Sequence, residues 1–499
     1  MNAQSVACWR FSQIISKIII KFTEMKTTYY LLCLFLLCFT PYISAKEYFV
    51  AHYGTDSAQG TISDPFATIQ KACSVAQAGD TVTVRGGEYY IDEQIIPQRS
   101  GKPDAWILYR GMPGEKAIID GQHVIVANEK PFSSQSAGLF QITAKEYIHV
   151  KDLHFRNSYS VGILVGYSSN LPEAAPEEKR NTKYIRVEGC SVDRSYNSGI
   201  SVWYADSVIV TGCEVTRAND LDFRLPETRK GHEAPHEAIS ICGARYFEIS
   251  YNHVHHCYKE GIDCKEVSSH GVVHNNLVHD VPRQAYYADA WFGLLEDIEF
   301  RDNIAHSAGW GFAISVEGKG SEARNIRIHH NLAYNIQGAG ILFGLWGDNL
   351  LRSDIHIYNN TFYNCGSDDW FSGNVGSIDI LSTNCKDIFI YNNLCDKGFD
   401  YEIGFGFAKD ELPGALKKQN IVVKDNLVSG MKNKAIRIGQ YDAKVIEYIP
   451  EGNKIAVPEY RNSQLFDFVP VSLPQPENKN KWKYAPSPWY GAYRPVTTK

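Results

Sequence analysis

The chain has 499 residues, a formal net charge of −6 and a sequence pI near 6.3, so no global basic field invites nucleic acid. A length-based prior gives about three domains, but repeat architectures break that prior. Thirty Tyr and 23 Phe set against 4 Met suit β structure and surfaces that stack on flat rings.

Residues 25–45 (MKTTYYLLCLFLLCFTPYISA) read as a secretory signal peptide, with a Lys at the start, an apolar run over 31–39 and Ser44-Ala45 as a small-residue cleavage site. Met25 is then the natural start, and residues 1–24 an upstream extension. The apolar run is too short for a stable membrane span, so secretion or periplasmic export is expected. Nine cysteines follow the cleavage point, an odd number without a CxxC pair. They predict buried free thiols rather than a disulfide framework or a zinc site.

A cap is expected over 46–90. Residues 65–77 carry apolar positions at helical spacing, between strands at 48–51 and 81–85. The run YFVA…GTDSAQGT…PFATIQKA…AGDTVTVRGGEY resembles the N-terminal cap of secreted right-handed parallel β-helix proteins that act on carbohydrates. That resemblance implies an all-β solenoid whose open end the helix plugs.

The repeat is also visible without it. One turn position recurs as Asp152, Gly189, Gly212, Asn252, Asn276, Asn303, Asn331, Asn360, Asn393 and Asn426. A second column of small residues recurs as Gly138, Gly162, Gly199, Ala238, Gly261, Ala285, Gly311, Gly340 and Gly376. Stacked coils explain both, with Asn amides laddering between identical turns and Ile/Val/Leu positions forming a continuous core. About ten coils over 91–445 are implied. Two longer intervals, 167–183 and 215–235, read as polar loops walling a cleft. Residues 446–499, rich in Pro and aromatics, read as a tail packed along the solenoid and covering its C-terminal edge.

Candidate chemistry collects between His236 and Glu317. Aligned on the small-residue column, Asp263 and Lys265 share a strand face, Asp289 sits on that face one coil along, and Glu317 follows on the next. Glu237 and Glu260 directly precede their small residues. Outward carboxylates are ordinarily just solvated, but five in three or four coils is a concentration other coils lack. Lys265 is expected to hold Asp289 ionised. His236 is a candidate substrate contact, and Trp203, Tyr287 and Trp291 are candidate stacking residues, with Trp346 and Trp370 read as packing under loops. His253, His255, His256, His274, His279, His329 and His330 read as stack residues in turns.

The segments EGIDCK, YYADAW and ISVEG together resemble the β-helical xylosidases. The likeness implies Asp289 as nucleophile and Glu317 as acid/base, although Ala285 replaces the Gly of that pattern. The expected function is hydrolysis of a glycosidic bond in a poly- or oligosaccharide without a cofactor, by a monomer. The alternative is a polysaccharide lyase with Lys265 as base and Ca²⁺ on Glu260, Asp263 and Asp289. A glycan-binding solenoid without catalysis is the third reading.

Overall fold

The computed structural model describes residues 45–124, 137–167, 180–220, 236–367, 376–399, 401–407, 411–429, 436–438, 452–477 and 481–498, with residues 13, 21 and 177 singly. Met1–Ala45 forms a unit by itself and Lys46–Lys499 another. The signal peptide expected at 25–45 lies outside the described residues, Ala45 apart. No helix among the described residues is long and apolar enough to cross a membrane.

Lys46–Lys499 is an all-β parallel solenoid. Thirteen strands, from Glu47–Val50 to Ile421–Lys424, stand in one sheet in strict chain order. The other walls of the coil form a second sheet, in which each strand again pairs in parallel with its equivalent one coil on. Crossovers between parallel strands of one sheet are right-handed in nearly all folds, because strand twist favours that sense.

The thirteen rungs include the two strands assigned to the cap, since Glu47–Val50 pairs with Thr81–Val84, which pairs with Ile107–Gly111; eleven rungs fall within 91–445, where about ten were expected. The coils of the cap lack the Asn turn and so escape a count based on it. Inward positions stack by type. Ile298, Ile326, Ile355 and Ile388 are in register and fully buried, each contributing about 1.5–3 kcal/mol of burial.

The turn ladder forms. Asn252, Asn276, Asn303, Asn331, Asn360, Asn393, Asn426 and Asn453 each offer a carboxamide oxygen to the amide N–H, and all but Asn252 also to the side-chain amide, of the preceding member at 2.9–3.1 Å. The residue before each from Asn252 to Asn426 has φ of 52–56°. Asp152, Gly189 and Gly212 occupy that left-handed place, with φ of 52°, 61° and 64°, so they belong one position earlier than the sequence column put them. The ladder slot itself goes to Cys190 and Cys213. The Cys213 amide donates to Asn252 Oδ1 at 2.9 Å, just as Asn252 donates to Asn276. Cys395 falls in a different column, paired with Phe362 and Val428. All nine described cysteines are free and buried.

The capping helix is shorter than expected, Ile69–Val75. Asp56 explains the late start, because its carboxylate accepts from the amides of Ala67 and Thr68 and keeps them out of the helix. Thr68 then caps it, accepting from Lys71 N at 3.1 Å. At the other end the tail runs along the flank of the coils. Trp482 stacks on Tyr391 at 4.0 Å, Tyr484 hydrogen-bonds Arg327 and Asn325, and Phe468 packs on Tyr334 and Tyr363. Of the two long loops, residues 168–176, 178–179 and 221–235 lie outside the described residues.

Candidate active site

Strand register brings the acidic residues together. Ser240 pairs with Asp263 and Asp263 with Tyr287, while in the next outward column Cys242 pairs with Lys265, Lys265 with Asp289 and Asp289 with Ser315. Glu317 lies two residues beyond Ser315. The inward neighbours Ile262, Cys264, Tyr286 and Ala288 belong to the core, so the period of two puts the charged set on the outer wall.

Ser315 is the centre of the arrangement. Its hydroxyl lies 3.1 Å from Asp289 Oδ1 and 2.8 Å from Glu317 Oε1. The nearest oxygens of the two carboxyls are therefore no more than about 6 Å apart. Tyr287 donates to the same Glu317 oxygen and sits 2.5 Å from Ser315 Oγ. Trp291 Nε1 donates to Asp289 Oδ2 at 2.9 Å. Gly347 presses on Glu317 from the far side. At φ 59° it occupies the left-handed region, and a Cβ there would stand 2.4 Å from Glu317 Cα.

A second cluster adjoins the first. Lys265 Nζ pairs with Glu237 Oε1 at 3.0 Å, and Ser240 donates to Glu237 Oε2 at 2.7 Å. Lys259 reaches Glu237 at 3.7 Å and Glu260 at 3.6 Å, and Arg283 reaches Glu260 at 3.0 Å. Five carboxyls thus face three cations. Burial, which would raise the Glu237 carboxyl, is outweighed by Lys265 and Lys259, and Glu237 ends well below the usual range. Burial, then Glu237, pushes Asp263 up, while burial, then Glu317, pushes Asp289 up. Asp263 Oδ1 is buried and has no hydrogen-bond partner among the described residues.

Several expectations change. Lys265 does not bring the Asp289 pKa down, because its ammonium is engaged by Glu237 and burial, then Glu317, outweigh it at Asp289. Burial lowers Lys265 itself, but Glu237, Asp263 and Asp289 outweigh it and raise its pKa, so it stays protonated. Glu260 is turned to Lys259 and Arg283. Trp203 and Tyr287 are outward but covered, at 0% and 4% exposure. Trp203 packs against His236 at 4.4 Å and beside Tyr204 and Cys242, so it offers no open face. His236 is pushed down to about 3 by burial, then by Lys265, and stays neutral. The partly open aromatic rings are Trp291 and Trp346, and Trp346 packs edge-on against Tyr287 and Trp310. Trp370 lies outside the described residues.

Sequence reasoning missed Ser315, Lys259 and Arg283. Each carried a signal: Ser315 is two before Glu317 on one face, and Lys259 and Arg283 each stand two before the small residue of their coil.

A family model described as a Pel9A-like right-handed β-helix region matches residues 48–177, and one described as a right-handed β-helix region matches 137–354. Pectate lyase PEL9 of Emericella nidulans is 32% identical over 120 residues, 23% of this chain and 29% of that protein. The uncharacterized protein YwoF of Bacillus subtilis is 29% identical over 154 residues, 29% of this chain and 31% of that protein. The chain thus spans less than a third of either curated relative. The structure of XylC in complex with xylose is similar at a TM-score of 0.52 and 14% identity, covering 81% of this chain and 87% of that one. Fold and matches together define a right-handed parallel β-helix protein, similar over residues 48–177 to the Pel9A-like β-helix region.

Proposed function

We propose that this is an exported carbohydrate-active enzyme that hydrolyses a glycosidic bond in a poly- or oligosaccharide, using Asp289 and Glu317. The observation that carries the reading is the hydroxyl-bridged carboxyl pair. Its separation of no more than about 6 Å between nearest oxygens suits the retaining geometry and is tight for a water held between the two groups. A raised pKa on Asp289 beside a Glu317 oxygen that accepts from Tyr287 is the pairing that an acid and a nucleophile need. This supports Glu317 as nucleophile and Asp289 as acid/base, the reverse of what the likeness to β-helical xylosidases implies. Trp291 orients Asp289, and Trp346 offers a ring for a sugar face.

A second reading, β-elimination on a uronate polymer, draws on the match to pectate lyase PEL9. It needs a neutral base, and Lys265 is kept charged by Glu237 and its acidic neighbours.

Digestion of a panel of plant, algal and host glycans tests both. Hydrolysis yields new reducing ends without the ultraviolet absorbance of an unsaturated sugar, and Asp289→Asn and Glu317→Gln each lower turnover by about 10² to 10⁴-fold. A fluorinated glycoside then traps a label on Glu317. Unsaturated products, or turnover that survives both substitutions, would overturn the reading; a label on Asp289 would reverse the two roles alone.

A further inference from the structure

The carboxyl pair occupies the ends of strands Leu277–Ala290 and Ile304–Val316. The beginnings of the same strands, beyond the register shift between Val281 and Gln284, carry a different chemistry. His255, His279 and His306 are in register there, and their rings stack, His279 on His306 at 4.5 Å and on His255 at 5.1 Å. Stacking accounts for ring faces. It does not account for the nitrogen contact of His253, which belongs to the neighbouring column, packs its ring 4.1 Å from that of His255, and meets His279 Nε2 to Nε2 at 2.8 Å.

We propose that His253, His255 and His279 bind a divalent transition-metal ion of the zinc class. One nitrogen from each ring lies within 4.8 Å of the others. Two facing Nε2 atoms share a single proton, that of the donating ring, and a cation can take its place when that ring shifts to its Nδ1–H tautomer and binds as a neutral imidazole. Zinc–imidazole bonds are about 2.0–2.1 Å, which puts two such nitrogens about 3.3 Å apart on a tetrahedral ion. The pair at 2.8 Å needs to open by only about half an ångström.

The groups behind the nitrogens have the arrangement that metal-binding histidines use. Asp280 Oδ2 holds His279 Nδ1 at 2.6 Å, which leaves Nε2 as the ligand atom, and Glu214 Oε1 lies 3.2 Å from His255 Nε2, which leaves His255 Nδ1 to exchange its 2.8 Å contact with His256 Nδ1 for the ion. Carboxylates in that place fix the tautomer and raise the basicity of the ligating nitrogen. Imidazole donors favour zinc, copper or nickel over calcium or magnesium, which prefer oxygen. A groove of about 870 Å³ bordered by His255, His256 and Asp280 gives the ion its path from solvent.

The test uses the untagged full chain, stripped with a chelator. Calorimetric titration with Zn²⁺ should show one equivalent bound, and Co²⁺ should give visible d–d absorption. His253→Asn and His279→Asn should each weaken Zn²⁺ binding by more than tenfold, and Asp280→Asn by about 10- to 100-fold. Glu317→Gln, at the carboxyl pair, should leave Zn²⁺ affinity unchanged. Zn²⁺ should raise the melting temperature of the parent but not that of His279→Asn. An unsubstituted chain that takes up no Zn²⁺ overturns the proposal. So does uptake that survives both histidine substitutions, or uptake that depends on Glu317.

Discussion

Ser315→Ala isolates the contribution of the bridging hydroxyl. The side chain is fully buried and touches Asp289 Oδ1, Glu317 Oε1 and the Tyr287 hydroxyl. A hydrogen bond to a charged group contributes about 1.5–3 kcal/mol, and at 1.36 kcal/mol per decade that predicts a fall in kcat of about 10- to 150-fold. KM should change little, because Ser315 lies behind the carboxyls. The pH profile gives a second readout. Burial and Glu317 raise the Asp289 pKa, while Ser315 and Trp291 lower it by bonding to the charged form. Deleting the hydroxyl removes a lowering interaction, so the Asp289 pKa rises further. With Asp289 as the acid, activity is lost as it deprotonates, and the alkaline limb of kcat/KM moves to higher pH. The assay is turnover of whichever glycoside the panel yields, measured from acid to alkaline pH, with Ser315→Thr as the variant that restores a hydroxyl. An alkaline limb that moves to lower pH, or activity within twofold of the parent, would refute the reasoning.

Two stability predictions accompany it. Asp263 has a folded-state pKa raised by burial and by Glu237, so its contribution is fully present below the ordinary carboxylate pKa and is lost as pH rises. Asp263→Asn should therefore raise the melting temperature at neutral pH and change it little near pH 3; equal shifts at both would count against a protonated Asp263. Asn303→Ala removes the acceptor for Asn276 N and Nδ2 at 3.0 Å and the donor to Val273 O at 2.8 Å. With buried partners left unmet at about 1–3 kcal/mol each, the variant should unfold at clearly lower denaturant, and a midpoint equal to the parent's would show that the ladder contributes nothing.

The solenoid was legible because stacking forces the same residue type into the same slot coil after coil, as the run from Asn252 to Asn453 shows. The reading failed where a slot was filled by other chemistry. Cys190 and Cys213 hold the ladder position, and the Gly before each drew the alignment one residue off. The gathering of Asp263, Asp289 and Glu317 was legible from strand parity alone. The ion pairs were not, because Lys259 reaches in from the bend before its strand and Arg283 from the register shift inside strand Leu277–Ala290, where the period of two breaks. Burial was misread for one reason: outward from the coil was taken as open to water, but Trp203 and Tyr287 are covered by side chains from the segments flanking the strands, His236 and Trp346.

The nine thiols also bear on where the polypeptide can mature. None of the described cysteines is bridged, and each is sealed in the interior. Burial pushes the Cys73 and Cys257 thiols up to about 12, so they remain in the unreactive form. Assembly of the coils is thereby uncoupled from oxidation. The polypeptide should reach the same end state in a reducing cytosol as outside it, without an oxidase or isomerase, and dithiothreitol should leave it intact.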